Sequence, residues 1–453
     1  MASASIPIKS LTTMHPDYNP VVKLPSGEVR GILEVYQELY EGGVKFDPVK
    51  GKYLRPREAD MNPKYKEIRL ACAEYSAEIG EKIDWMAGQC MAENPRFETT
   101  NEYFETLNDD VDGDGADLAE LVFVCGVNLQ VHFRTYLAVA FPESEPGASL
   151  KDAKDRGLTD GKVFMLDSAT VEDWEYDKQK RLVFVRIHTQ ELERNTDGTQ
   201  SENERHTWTL YRMQPDGVTE RSCYTATKKK GADWVEGETA SLESPSKPLD
   251  YKGRFPIIPV KIPRGLWVMN RARGKATDLF NLQTGMTFIS DATMFPVFTI
   301  SSDRAIKDIW LTEKNALLLK TGEVAQWLAP SGIPIDSLLK QQQEKKLEIK
   351  DVSLSRGIDN QNDRYGQQSG TAKEQAAKPA YDIVNLYKSA IKDGLCKAVD
   401  LILFVRGEDD EIKIMGLGGL EDQEAKEEKA AEQQEAQAEV NKAKTEPKTE
   451  TVE

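Results

Sequence analysis

Two helices separated by a short β-rich insert, then a polar loop and a much longer helix, fill residues 263–405, and this order constrains the fold more than any other feature. The first helical stretch covers 266–292 (LWVMNRARGKATDLFNLQTGMTFISDA). The insert, 294–332, holds β-branched and aromatic runs at 296–301 and 316–320. A second helix is expected over 334–352, with Pro334 in its first turn, where a missing N–H is harmless. Ile335, Leu338, Leu339, Leu347 and Ile349 are its apolar residues. Residues 353–369, SLSRGIDNQNDRYGQQS, have almost nothing to bury and carry two arginines. The last helix, 371–405, would be about 50 Å long at 1.5 Å per residue. Its buried side is marked by Ala380, Ile383, Val384, Tyr387, Ile391, Leu395, Val399, Leu401, Ile402 and Val405, and Pro379 is expected to kink or restart it.

The 453 residues suffice for two or three compact units with a sizeable core. No stretch approaches the roughly 20 apolar residues of a membrane span, so no membrane partner is expected. MASASIPIKS lacks the apolar core of a secretory signal. Cys72, Cys90, Cys125, Cys223 and Cys396 are scattered with no C-x-x-C pair, which reads as reduced thiols in a cytosolic chain. Net charge is −17, and residues 408–453 hold 15 acids against 6 bases, so half of the excess lies in the last tenth of the chain. That balance argues against a protein that grips DNA phosphates, though not against one that lets DNA slide past.

Upstream, the first 25 residues read as an extended arm, and 29–40, 63–93 and 116–137 as helices, the second ended by Asn94-Pro95. The period then changes. Residues 162–166, 182–188, 207–213 and 223–227 are β-rich runs separated by turn clusters at 195–198 and 215–217, which predicts an antiparallel sheet. The prolines of Phe255-Pro-Ile-Ile-Pro-Val confine that segment to an edge or a connection. Beyond Gly407 the chain turns to Glu, Gln, Ala and Lys, good helix formers with little to bury.

Few groups point to chemistry. Asp110, Asp112 and Asp114 with Gly115 imitate the start of a calcium loop, but the twelfth position is Leu121, so the closing carboxylate is missing. The alternative is an Asp/Gly turn capping the next helix, with Asp117 in its first turn. His15, His132, His188 and His206 lie at no zinc spacing, and their scarcity weakens any Ser-His-Asp or Cys-His mechanism. Gly157-Leu-Thr-Asp-Gly-Lys-Val lacks the spacer and the Ser/Thr of a phosphate loop. No cofactor, no metal and no enzymatic activity are expected. Arg271, Arg273 and Lys275 punctuate the first helix of the 263–405 region, and Lys340, Lys345, Lys346 and Lys350 the second. Each is either a solvated helix face or, multiplied around a ring of subunits, part of a band of positive charge that touches a passing phosphate backbone. In the polar loop Arg356, Asn360, Asn362, Arg364 and Gln367 supply charge and hydrogen bonds, as an exposed linker or as a functional segment.

With these residues in view the chain resembles the portal proteins of tailed bacteriophages, the head-to-tail connectors. The matching pieces are Lys52-Tyr-Leu-Arg-Pro-Arg-Glu, then Tyr65 through Trp85 to Asn94-Pro95; the acidic-Gly turn at 110–118; 253–262 leading into the 266–292 helix and Phe295-Pro-Val-Phe-Thr-Ile; and Gly370-Thr-Ala-Lys-Glu-Gln opening the long helix. The likeness covers about 28–406, and order and spacing carry it. It implies an α+β portal fold: an N-terminal arm (1–27), a wing with a helical part (28–150) and a β-rich part (160–262), and a first stem helix (263–293). A small α/β clip (294–332), a second stem helix (333–353), a tunnel loop (354–370) and a long wing helix (371–406) would follow. Residues 407–453 would form an acidic tail or a reduced crown, a departure from portals that carry a helical one.

The resemblance further implies a homo-oligomeric ring, usually of twelve copies, at one capsid vertex of the virion, assembled in the host cytoplasm beside the major capsid protein. Double-stranded DNA would pass through it during packaging and ejection, with Arg356 and Arg364 near the channel. Terminase and later the head–tail adaptor would dock on the clip. Two rivals predict otherwise. A non-conducting structural adaptor or scaffold of a virion would have no central opening, and a calcium-dependent module would be stabilised by calcium through Asp112.

Overall fold

Two clusters of buried side chains, each shared between helices and strands, organise the chain. The structure is a computed structural model and describes residues 5–46, 51–142, 150–194, 200–249, 251–294, 297–301, 324–328, 333–352 and 370–418. Helices and antiparallel sheets mix throughout, as an α+β chain requires. The N-terminal elements are β1 (Ser5–Pro7), α1 (Ile8–Leu11), β2 (Val21–Lys23), β3 (Val29–Gly31), α2 (Ile32–Glu41) and α3 (Gly43–Phe46). Next come α4 (Pro63–Ala71), α5 (Glu78–Met91), β4 (Arg96–Glu98), α6 (Glu102–Asp109) and α7 (Leu118–His132). The β-rich part holds β5 (Arg134–Ala140), α8 (Leu150–Asp155), β6 (Lys162–Leu166), β7 (Val171–Tyr176), β8 (Leu182–Arg194), β9 (Gln200–Met213), β10 (Thr219–Lys229), β11 (Thr239–Leu249) and β12 (Ile257–Lys261). After it run α9 (Val268–Met294), β13 (Val297–Ser301), β14 (Val324–Leu328), α10 (Ile333–Val352), α11 (Gly370–Arg406) and β15 (Lys413–Met415).

Tertiary contacts redraw several expected boundaries. The helix expected from residue 29 begins at Ile32, because Val29–Gly31 pairs with Val21–Lys23 and Asn19 Oδ1 accepts the Leu33 N–H. The helix expected over 63–93 is two, α4 and α5. Between them Tyr75 leaves the helical path to stack on Phe46, 4.0 Å between ring centres, and its hydroxyl donates to Leu39 O at 2.6 Å. Gly80 then lets α5 cross the end of α2, since a Cβ there would lie 2.5 Å from Tyr40 O. The helix expected over 116–137 stops at His132: Phe133 takes a left-handed conformation (φ 71°), and the following Arg134–Ala140 run enters a sheet as β5. α7 is apolar on nearly every face and is correspondingly enclosed.

The antiparallel sheet has six strands in the order β1-β11-β10-β9-β8-β7, and a smaller one has the order β12-β5-β6. β8, β9 and β10 extend well beyond the runs at 182–188, 207–213 and 223–227, while β5, β7 and β11 were not anticipated. The turn at 215–217 closes with the Gln214 N–H donating to Val218 O and Gly217 at φ 86°; the turn cluster at 195–198 lies outside the described residues. β12, with Pro259, is an edge strand, and α11 packs on it where Gly394 sits: a Cβ there would lie 2.6 Å from Val260 Cγ2. The N-terminal arm is docked rather than loose. β1 pairs with β11, Ile8 and Leu11 cluster with Trp208, and the buried Arg186 donates to the Ser10 and Thr13 carbonyls.

α9 and α10 match the expected helices to within two residues at each end, and α11 runs unbroken through Pro379, so the helix does not restart there. In the insert β13 and β14 pair antiparallel from Val297↔Leu328 to Ser301↔Val324; the run at 316–320 lies outside the described residues, and β14 was not anticipated. Residues 407–418 are not a tail. β15 pairs with β4, and Ile414 and Leu417 are buried beside α11. The first core cluster joins α2, α5, α7, strand residues such as Val171 and Val185, and the first half of α9. The second joins the other side of α5 and α7 to β5, β12 and α11. None of the five cysteines is in a disulfide, and among the described residues no helix is long and apolar enough to cross a membrane.

Candidate functional site

The α9–α10 hairpin carries the basic candidates, and its near end is fastened to the body. Trp267, just before α9, donates through Nε1 to Val131 O at 2.9 Å. The Tyr36 hydroxyl donates to Asn270 Oδ1 at 2.8 Å, and burial pushes its pKa up to about 12. Further along, Asn281 Nδ2 donates to Tyr53 O (2.9 Å) while its Oδ1 accepts the Arg55 N–H (2.8 Å). Phe288 meets the Tyr65 ring edge-on at 5.2 Å.

α10 runs back along α9. Near its end Glu348 Oε2 takes Lys275 Nζ of α9 at 2.6 Å and Lys345 Nζ at 3.0 Å, and those two hydrogen bonds hold its carboxyl below the ordinary glutamate range. Lys346 pairs with Glu78 of α5, and Ile349 is buried in the first cluster. Three of the seven expected basic residues, Lys275, Lys345 and Lys346, are therefore neutralised within the chain and add little to a positive band. Arg271 and Lys340 are exposed, and Arg273 and Lys350 are half-buried. From Asp336 to Glu344 only Leu338 and Gln342 are even half-buried. Leu339 and Leu347 remain 39% and 43% exposed. At i and i+8 they share one side of the helix, which the described residues leave partly exposed.

Arg356, Asn360, Asn362, Arg364 and Gln367 lie outside the described residues, between Val352 at the end of α10 and Gly370 at the start of α11. The Asp110–Asp114 segment is a turn that uses its own carboxylates. Asp110 Oδ1 accepts the N–H groups of Gly113 (2.8 Å) and Gly115 (3.0 Å), and Asp112 Oδ1 those of Asp114 (2.8 Å) and Ala116 (3.2 Å). Lys162 Nζ sits 2.8 Å from Asp110 Oδ2 and 2.7 Å from Asp110 O, supplying an ammonium where a cation would go. Asp117 caps α7 by accepting the Glu120 N–H at 2.7 Å. The geometry is that of the capping turn.

Glu78 and Glu348 escaped the sequence reading. Lys345 and Glu348 stand at i and i+3 on one helix, a legible pair; Lys275 with Glu348, and Lys346 with Glu78, are joined only by tertiary packing.

No family model and no curated protein matches the chain. Similar chains occur among solved structures. One, from the virion of a native gene transfer agent particle, is 13% identical over 82% of this chain and 88% of that one, with a TM-score of 0.38. A second, from the neck of the empty particle computed with C6 symmetry, has 13% identity, the same coverage and a TM-score of 0.39. A third, from the neck of the native particle computed with C12 symmetry, is 13% identical over 74% of this chain and 80% of that one, at 0.38.

Proposed function

We propose that this chain is a portal-type structural protein of a phage-like virion: a homo-oligomeric ring at one capsid vertex through which double-stranded DNA passes in packaging and ejection. The observation that carries this is α10. Of the described side chains of this 20-residue helix only Ile349 is fully buried, and Leu339 and Leu347 stay 39% and 43% exposed on a side that the described residues leave partly open. Such a helix is half of an interface. Copies set side by side around an axis would cover each other's α10 and turn α9–α10 hairpins into the wall of an opening. Arg271 and Lys340, exposed on that wall, and Arg356 and Arg364 after it would then touch passing phosphates without gripping them, in keeping with a net charge of −17. In this reading the insert between α9 and α10, at the far end of the hairpin, receives terminase and then the head–tail adaptor, the β-rich part faces the major capsid protein, and the chain itself hydrolyses nothing.

Electron microscopy of the purified chain, viewed down the particle axis, tests this. Rings with a hole wide enough for duplex DNA are expected. Closed particles with no hole would sink the channel and favour a non-conducting adaptor.

A further inference from the structure

Three cations meet in one pocket of this acidic chain. Where the N-terminal arm, the end of α7, β7 and β12 converge beside the root of α9, a cavity of about 760 Å³ is lined by Arg134, Lys261 and Arg264. Each lies over a ring lining the same cavity: Arg134 Cζ is 3.9 Å from the centre of Trp174, Lys261 Nζ 4.4 Å from Tyr176 and Arg264 Cζ 5.9 Å from Phe133. The rings orient the cations but carry no net charge to balance them. Among the described residues none of the three is within ion-pair distance of a carboxylate; Glu172 and Asp173, on the adjoining strand, are engaged by Arg186 and His188. The one acid lining the cavity is Asp17, exposed on the arm. Burial, and then Arg134, hold the Lys261 pKa below the ordinary lysine value, a cost that a bound carboxylate would relieve.

A second feature is independent of charge. His132, 3% exposed, lines the same cavity. Gln37 Nε2 donates to Glu41 Oε1 at 2.5 Å, which turns Gln37 Oε1 toward His132 Nε2 at 2.9 Å. His132 therefore carries its proton on Nε2, and its Nδ1 is a bare acceptor with no donor among the described residues. Burial pushes its pKa down to about 4, so the ring is neutral at physiological pH. A ligand suited to this cavity brings carboxylates for the cations, as an acidic polypeptide does. Nucleic acid suits it less. Trp174 has Arg134 over its ring and His15 stacked on it at 4.1 Å, so no open face is left for a base.

We propose that the pocket docks an acidic polypeptide segment, and that its occupant is the chain's own segment 419–453. That segment holds 11 acids against 5 bases, matching a site rich in cations. Reach is no obstacle: 35 residues at about 3.3 Å each span over 100 Å, to the pocket of the same copy or of a neighbour. The inference does not depend on the ring reading.

The test is digestion of the full-length chain by proteinase K, with cuts in 419–453 timed by mass spectrometry. At low salt the segment should be cut roughly tenfold more slowly than at about 0.5 M salt, where screening releases it. Lys261→Glu/Arg264→Glu should abolish the protection at low salt. Should that variant lose its circular dichroism, Glu427→Lys/Glu428→Lys, in the segment rather than the pocket, must abolish it instead; combined with a folded pocket variant it should restore it. Equal cutting rates for wild type at both salts overturn the proposal. Salt-dependent binding of duplex DNA lost in the pocket variant, with the segment unprotected, overturns it in favour of nucleic acid.

Discussion

Truncating Leu339 and Leu347 together to Ala should dissolve the ring while leaving the monomer intact. Fully burying a leucine side chain is worth about 1.5–3 kcal/mol. With 39% and 43% of these residues still exposed in the single chain, covering the remainder yields about 0.6–1.2 kcal/mol each, or about 1–2.5 kcal/mol per subunit interface. That corresponds to a roughly 5- to 70-fold weaker contact, repeated at every interface of a closed ring. The monomer should stay folded, at a modest cost from the part of each side chain that the chain already covers, because Ala is at least as good a helix former as Leu and neither leucine belongs to a core cluster. Mass photometry across a dilution series, with thermal melts alongside, reads both quantities. The concentration needed for rings should rise at least tenfold while the monomer keeps a cooperative melting transition. Rings that persist to the same dilution as wild type would show that α10 is not the interface, and the proposed architecture would fall with it.

Two other regions make separate predictions. Glu408 accepts from Lys154 Nζ (2.9 Å), Arg406 Nε (3.0 Å) and Asn101 Nδ2 (3.0 Å); burial alone would raise its pKa, but these hydrogen bonds outweigh it and bring it to about 2. A carboxyl with a depressed folded-state pKa stabilises above its unfolded value and stops doing so as pH falls through the folded one. Glu408→Gln should therefore cost about 1–3 kcal/mol near neutral pH, a difference in melting temperature that shrinks from about pH 4.5 and vanishes near pH 2. A difference independent of pH would refute the assignment. Asp112→Ala should cost about 1 kcal/mol because the Asp114 and Ala116 N–H groups lose their acceptor, and millimolar calcium should not shift the melting of wild type, since Lys162 already holds Asp110. A calcium-dependent rise in melting temperature that Asp112→Ala removes would reinstate the calcium loop.

Periodicity revealed what depends on local pattern. α9, α10 and α11 are long, and their caps and neighbours do not compete with their helical preference, so their ends fell close to expectation. The failures occur where a distant partner wins. Tyr75 continues a helical pattern in sequence, yet the rings of Phe46 and Phe280 draw it out of the helix. Arg134–Ala140 continues the apolar run of α7, but pairing with β6 and β12 makes it a strand. Ile412 and Ile414 carried a short alternating apolar signal, with Leu417 beyond it, after the acidic 408–411 stretch, and the low-complexity residues that follow concealed it. At the candidate site the cationic helix faces were legible, whereas their neutralisation was not, because Lys275 and Glu348 stand on different helices. Lys261 and Arg264 stand three residues apart, but Arg134 is far from both in sequence, and only the meeting of β5 with β12 and the turn before α9 gathers the three.

The two clusters also bear on the polar loop. Its leading helix is rooted by Ile349 in the first cluster, and the helix it leads into by Val384 and Tyr387 in the second. Any force on residues 353–369 would therefore be delivered to two different cores. α5 and α7 tie them together: Ile79, Ile83, Val127 and Val131 belong to the first, and Met86, Cys90, Leu121 and Cys125 to the second. The two helices cross where a Cβ on Gly126 would lie 3.3 Å from Ala87 Cα, a backbone atom that cannot move aside without shifting α5. Gly126 is thus a position at which one added methyl group would strain the helix crossing that joins the two cores, although it lies far from residues 353–369 in sequence.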